Sequence, residues 1–158
     1  GKLNDLEFNL MKKHVELGTL LLPSNALGYL KESIRAHHEK YDGTGYPDGL
    51  KGNEIPQFAQ ILAIADSFDA MTSQRSYNKV KSAYEAFDDL NRHTKPYGVE
   101  DGLGVFYNPE YVDKFIKVIS ESKTIMNNLD ESKKQADINY QYKEKEENQK
   151  RKLVKKEI

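Results

Sequence analysis

Cysteine is absent from the 158 residues. That excludes disulfides, thiolate metal sites and a cysteine nucleophile, and it fits a reducing, cytoplasmic setting. Any bound metal must rest on imidazole and carboxylate ligands. Net charge is nearly absent too: 24 Lys and Arg against 25 Asp and Glu leave −1. A generally basic nucleic-acid binder is not indicated, and no DNA partner is expected. No apolar run approaches the roughly 18–20 residues that cross a bilayer, and no signal peptide is visible. Apolar residues are also sparse, at 37%, against about 45–50% (counted with Gly) for soluble domains. The length suits one domain and a tail. The first residue is Gly rather than Met, as in a piece of a longer protein.

Two segments differ in composition. Residues 1–120 hold 17 acids and 14 Lys or Arg, whereas residues 121–158 hold 8 acids and 10 Lys or Arg. The second segment has few apolar residues and no sustained heptad, so it reads as a charged helix or a disordered tail. The first segment reads as helices joined by loops. Leu6, Leu10, Leu17 and Leu21 recur at helical spacing over residues 4–21, and His14 falls on their stripe. Ser24 is a candidate cap for a helix carrying Leu27, Leu30 and Ile34 toward His37 and His38. The Gly- and Pro-dense stretch YDGTGYPDGLKGNEIP is a loop. Pro56 suits a first helical turn, and AQILAIADSFDAM is apolar nearly all round, as a buried helix would be. Ser82 and Glu85 have capping-box spacing ahead of Ala86, Phe87 and Leu90. Asn108 and Pro109 start a helix that buries Val112, Phe115, Ile116 and Ile119. No alternating strand stands out, and the fold class is all-α.

Four residues carry a possible metal chemistry. His14 sits among leucines, where a hydrogen-bonded core histidine is the plainer reading. His37 and His38 are adjacent at a helix end, where a solvated terminus is the plainer reading; neighbours on a helix point about 100° apart and rarely chelate one ion well. Asp66 and Asp69 share one face of the most apolar helix. A buried carboxylate costs several kcal/mol, roughly, unless it is paired or bound to a metal. For Asp69 an ion pair with Arg75 is the plainer reading; Asp66 lacks so ready a partner. Together His14, His37, His38 and Asp66 make an N/O donor set of the kind Mn, Fe or Zn uses. Two metals about 3.5–4 Å apart can clamp both oxygens of a phosphoryl displacement.

The stretch HHEKYDGTGYPDGLKGNEIP, followed by AQILAIADSFDAMTSQRSYNK, resembles the HD-GYP family almost without gaps from His37 to Lys79. GKLNDLEFNLMKKHVELG upstream and YNPEYVDKF downstream extend the likeness over residues 1–120. The resemblance implies a helical HD-superfamily bundle and a bacterial signalling phosphodiesterase that hydrolyses cyclic di-GMP to pGpG and GMP. It implies a divalent transition metal, Fe or Mn, in a bi- or trinuclear site, with His14, His37, His38 and Asp66 as ligands. Asp66 and Arg75 would be catalytic. Tyr46, Pro47, Arg75 and Lys79 would contact substrate, Arg75 through a bidentate guanidinium. The GYP loop would also dock a diguanylate cyclase (GGDEF) domain, and a homodimer is among the expected partners. Asp42, Gly43, Gly49 and Gly52 would set the loop backbone rather than touch substrate.

The sequence departs from the pattern at several positions. Gln60 replaces an Arg, Ser76 a Pro, Asn78 a basic residue and Asn108 an Asp. The family's His–Asp pair, an earlier His or Glu ligand and an active-site Lys are expected upstream of His14, beyond this chain. On that basis the 158 residues alone would be weakly active or inactive, and some core faces would be left uncovered. The alternative is a non-catalytic module that binds a cyclic dinucleotide or docks a cyclase domain. Nothing in the loop separates guanine from adenine.

Overall fold

A computed structural model of the protein describes residues 4–25, 27–74 and 79–154. Helix α1 (Asp5–Lys12) opens on a reciprocal cap: Glu7 N donates to Asn4 Oδ1 (2.9 Å) and Asn4 N to Glu7 Oε2 (2.8 Å). Lys13 keeps helical dihedrals and leads straight into α2 (His14–Leu20). The face that α2 buries is not the leucine stripe. Val15 is fully buried, and a Cβ on Gly18 would lie 3.0 Å from the Ile34 side chain, so α2 packs on α3 (Gly28–Ala36) through its small residues. Leu6 and Leu21 are 81% and 86% exposed, and Leu10 and Leu17 are also exposed. Helical spacing marks an apolar face, and no described neighbour covers this one. The cap expectation at Ser24 is corrected. Helix α3 starts four residues later, after Leu27, without a side-chain cap.

The loop ends in a 3₁₀ turn, Gly52–Glu54, and feeds α4 (Gln57–Thr72), with Pro56 as the residue just before its first turn. Helix α4 is buried on one face only, through Ala59, Gln60, Ile64, Phe68 and Thr72. Phe58, Ile61 and Leu62 are exposed, and so is Asp66. All-round apolarity therefore overstated the burial of α4, and the desolvation argument for Asp66 does not hold within the described residues.

Helix α5 (Ala83–Arg92) begins at the expected Ser82–Glu85 capping box. Strands β1 (Thr94–Lys95) and β2 (Gly104–Val105) pair antiparallel, Thr94 opposite Val105. At two residues each, they are too short for an alternating pattern to register. Asn108 caps α6 (Pro109–Glu121), and α7 (Lys123–Val154) follows. The main core joins α4, α5 and α6 through Ile64, Phe68, Ala86, Phe87, Leu90 and Val112, with Met126 and Leu129 of α7 packed against it. Phe68 stacks on Phe87 (5.4 Å between centroids) and meets Phe115 edge-on (5.3 Å). Each such buried side chain contributes about 1.5–3 kcal/mol. The fold is all-α, as expected.

Two of the departures from the family pattern meet. The Gln60 amide is buried; its Nε2 donates to Ile55 O (2.8 Å), and its Oε1 accepts from Asn108 Nδ2 (3.1 Å). Asn108 Oδ1 in turn accepts from Glu110 N (3.0 Å). One neutral amide pair thus ties the start of α4 to the start of α6.

Candidate metal centre

His14 opens α2, and His37 and His38 end α3. The tight packing of those two helices brings the three imidazoles together. One ring nitrogen from each lies within 4.8 Å of the others. His14 Nδ1 sits 2.7 Å from Met11 O, and His37 Nδ1 sits 2.7 Å from Ile34 O. A carbonyl can only accept, so both Nδ1 atoms donate their proton to the backbone, which leaves Nε2 as the nitrogen each ring can offer to a metal. This is the backbone support that orients metal-bound histidines elsewhere. His38 Nε2 and His14 Nε2 approach to 3.1 Å. Burial pushes the His38 imidazole down to about 4, His37 and His14 add to the effect, and Asp66 opposes it. His38 is therefore neutral at pH 7, the state a ligand needs. Three imidazoles with ring nitrogens this close together fit a divalent first-row metal. The adjacency of His37 and His38, unpromising on helix geometry, works because the helix ends at them.

The GYP loop closes over this cluster. Tyr46 N donates to His38 O (3.2 Å), and the Tyr46 ring stacks on the His38 ring at 4.9 Å. Gly45 lies directly against the backbone of Glu39 and Lys40, with no room for a Cβ. Gly43, Gly49 and Gly52 all have positive φ, and Asp42 Oδ1 accepts from Thr44 N (2.9 Å), the backbone-setting roles expected of them. Burial raises the Tyr46 phenol above its usual range, and the Asp66 charge adds to this. Across the rings, Lys12 Nζ sits 5.0 Å from the Phe8 centroid and 5.9 Å from that of Tyr46.

Asp66 faces the cluster from α4. It lines a cavity of about 100 Å³ with His37, His38, Glu39, Lys40, Ser67, Phe106 and Tyr107. Among the described residues the three histidines form the close donor set, and Asp66 shares the cavity lining with His37 and His38 without joining that set. The chain behind β2 supplies the remaining wall: Tyr41 N donates to Phe106 O (2.9 Å), and Tyr107 Oη donates to Ser67 Oγ (2.6 Å). Burial raises the Tyr107 phenol, while its bond to Ser67 opposes the shift. Lys40 Nζ lies 3.5 Å from the Phe106 ring centroid, a cation–π contact.

Pro47 follows Tyr46 through a cis peptide bond. Lys79 is exposed, and its positive charge acts on Glu85 at the start of α5. Arg75, with Ser76 and Asn78, lies outside the described residues. Asp69 Oδ1 accepts from Ser73 Oγ (2.8 Å). Sequence reasoning missed Lys40, Ser67, Phe106 and Tyr107. Their role depends on tertiary folding, and the short β1–β2 hairpin that delivers Phe106 and Tyr107 leaves no periodic signal. Arg35, also missed, grips Asp48 of the loop with two bonds of 2.9 and 2.7 Å.

Residues 1–99 match the family model described as HD domain. A cyclic di-GMP phosphodiesterase of Thermotoga maritima is 40% identical over 124 residues, covering 77% of this chain and 31% of that protein. A 3'3'-cGAMP-specific phosphodiesterase of Vibrio cholerae is 38% identical over 125 residues, covering 75% and 23%. A cyclic di-GMP phosphodiesterase response regulator of Xanthomonas campestris is 45% identical over 82 residues, covering 50% and 22%. The chain thus spans less than a third of the length of these relatives. With its HHEKYDGTGYPDG stretch and the histidine cluster beneath it, the chain belongs to the HD domain family, in its HD-GYP branch.

Proposed function

We propose that this chain supplies part of the active site of a metal-dependent phosphodiesterase that hydrolyses cyclic di-GMP to pGpG and GMP. One observation carries the reading: three imidazoles, two fixed by backbone carbonyls, converge under the GYP loop. The names of the similar proteins support the substrate class. His14, His37, His38 and, from the lining of the adjoining cavity, Asp66 would hold the ion. Fe or Mn suits this imidazole and carboxylate set, in a bi- or trinuclear centre. A divalent metal held there supplies Lewis acidity and activates water toward phosphorus. Each turnover breaks one P–O3' ester bond; the oxygen of water joins phosphorus, and a proton goes to the departing 3'-oxygen.

The protein side of that reaction is positional. Tyr46 stacks on His38, and Asp66 lines the cavity beside His37 and His38. Arg75 and Lys79 are assigned to the substrate phosphates from the family pattern alone. The loop's outer side, where Thr44, Asp48 and Gly49 are exposed, is the surface we assign to a GGDEF partner domain. Residues 1–120 are taken as the catalytic portion, 121–158 as an appended helix, and the setting as cytoplasmic.

The test is equilibrium binding of cyclic di-GMP to the Mn²⁺-loaded chain, with 3'3'-cGAMP as competitor and product analysis by chromatography. The expected result is metal-dependent binding that favours cyclic di-GMP and is weakened at least tenfold, roughly, by Asp66→Asn. Binding that ignores both metal and Asp66 would overturn the reading. A preference for 3'3'-cGAMP would replace the substrate and keep the site.

A further inference from the structure

We infer that Glu39 is the positioning residue of this site: its buried carboxylate fixes the GYP loop so that Tyr46 is held stacked on the ring of His38. Glu39 follows the histidine pair directly and is only 3% exposed. Its Oε1 accepts from Asp48 N (2.6 Å) and Gly49 N (3.1 Å), and its Oε2 accepts from Leu50 N (3.1 Å). Three consecutive backbone N–H groups thus converge on one carboxylate, as in the anion nests of turns. A buried carboxylate is tolerable only when its oxygens are satisfied in this way.

The same residue holds the other end of the segment. Gly45 lies against the Cα and carbonyl carbon of Glu39. Residues 45 and 48–50 are therefore both referenced to Glu39, one through its backbone and the others through its side chain. Tyr46 and Pro47 form the short bridge between those anchors. Since Glu39 and His38 are neighbours in the chain, the loop is tied to the donor cluster itself rather than to a distant part of the fold. Arg35 adds a grip on Asp48 from α3, but that pair is exposed and solvent screens it.

A carboxamide cannot replace this carboxylate. Glu39→Gln keeps one acceptor oxygen and points an NH₂ group at backbone N–H donors. The loop would lose at least one anchor, while His14, His37 and His38 would keep their own supports from Met11 and Ile34. The consequence is specific: metal uptake persists, and the placement of Tyr46 on His38 is lost.

The ring-proton resonances of His38 read that placement directly, since the stacked Tyr46 ring displaces them. In the metal-free chain, Tyr46→Ala gives the undisplaced positions. Glu39→Gln is expected to move the His38 resonances most of the way to those positions while Mn²⁺ uptake stays within about twofold of the starting chain. His38 resonances that do not move would overturn the inference. Should Glu39→Gln fail to fold, Glu39→Asp, one methylene shorter, is expected to give a partial displacement; no displacement would again overturn it. A second arm rests on the cyclic dinucleotide reading above. Glu39→Gln should weaken cyclic di-GMP binding about tenfold, yet add less than about twofold when Tyr46 is already Ala. Equal losses in both backgrounds would mean that Glu39 does not act through Tyr46. If the chain bound no cyclic di-GMP but the His38 resonances moved as expected, the substrate reading would fall and the positioning role would stand.

Discussion

Exchanging Gln60 and Asn108 for the Arg and Asp of the family pattern gives a prediction whose size follows from the geometry. Gln60 cannot turn its amide round, because Nε2 is committed to Ile55 O at 2.8 Å. In Asn108→Asp, the carboxylate still caps α6, since Asn and Asp are near-equal caps. It faces Gln60 Oε1 with no proton to share, however, and an unsatisfied buried acceptor costs about 1–3 kcal/mol. In Gln60→Arg, a guanidinium enters a site that is 8% exposed, opposite a neutral amide. A buried charge without its partner costs about 3–5 kcal/mol. The double variant restores opposite charges across the same 3.1 Å contact. It should therefore be more stable than the sum of the single losses predicts, by about 2 kcal/mol. Urea unfolding at pH 7, analysed by midpoint and slope, measures all four proteins. Losses that add to within about 0.5 kcal/mol would refute the claim that these positions act as one unit.

Two further predictions concern the site. In chain stripped of metal with a chelator, His38 is held neutral in the fold at about 4 and is free to protonate near 6.5 when unfolded. Its contribution is thus fully present above pH 6.5 and is lost as pH falls through 4; with half-burial discounted, about 1.5 kcal/mol should disappear across that window, and His38→Gln should flatten that part of the stability–pH curve. An unchanged slope in the variant would assign the effect to other groups. Gly45→Ala has no room against the Glu39 and Lys40 backbone, and overpacking of that kind costs about 1–3 kcal/mol. A thermal melt should show the loss, and a variant as stable as the parent would contradict the close approach.

Much of this molecule could be read without coordinates, for reasons that differ by element. The caps at Ser82 and Asn108 are local chemistry, so spacing located them, and the glycines at 43, 49 and 52 stand at positive φ for the same local reason. The histidine triad was reached through the likeness of a long, specific loop motif; composition alone left each histidine with a plainer reading. Burial was harder to read. Periodicity marked Leu6, Leu10, Leu17 and Leu21 as one face, but which face is covered depends on what packs there, and Val15 proved to be the buried residue. Asp66 was singled out by an argument from burial that its exposure removes, although it does line the histidine cavity. Glu39 and the Gln60–Asn108 pair are long-range ties: each partner was visible in the sequence, and their meeting was not.

Metal content after dialysis tests the central claim most directly. The chain would be equilibrated with Mn²⁺, freed of excess metal and analysed by mass spectrometry beside four single variants: His14→Ala, His37→Ala, His38→Ala and His93→Ala. His93 is the control, because its ring lies tilted against Phe106 (4.8 Å) and has Nδ1 2.8 Å from Asp89 O, outside the triad. The account predicts bound metal in the parent and in His93→Ala, and a loss of affinity of at least about tenfold in each triad variant. Metal retained in all three triad variants, or lost equally in His93→Ala, would contradict the assignment of this centre.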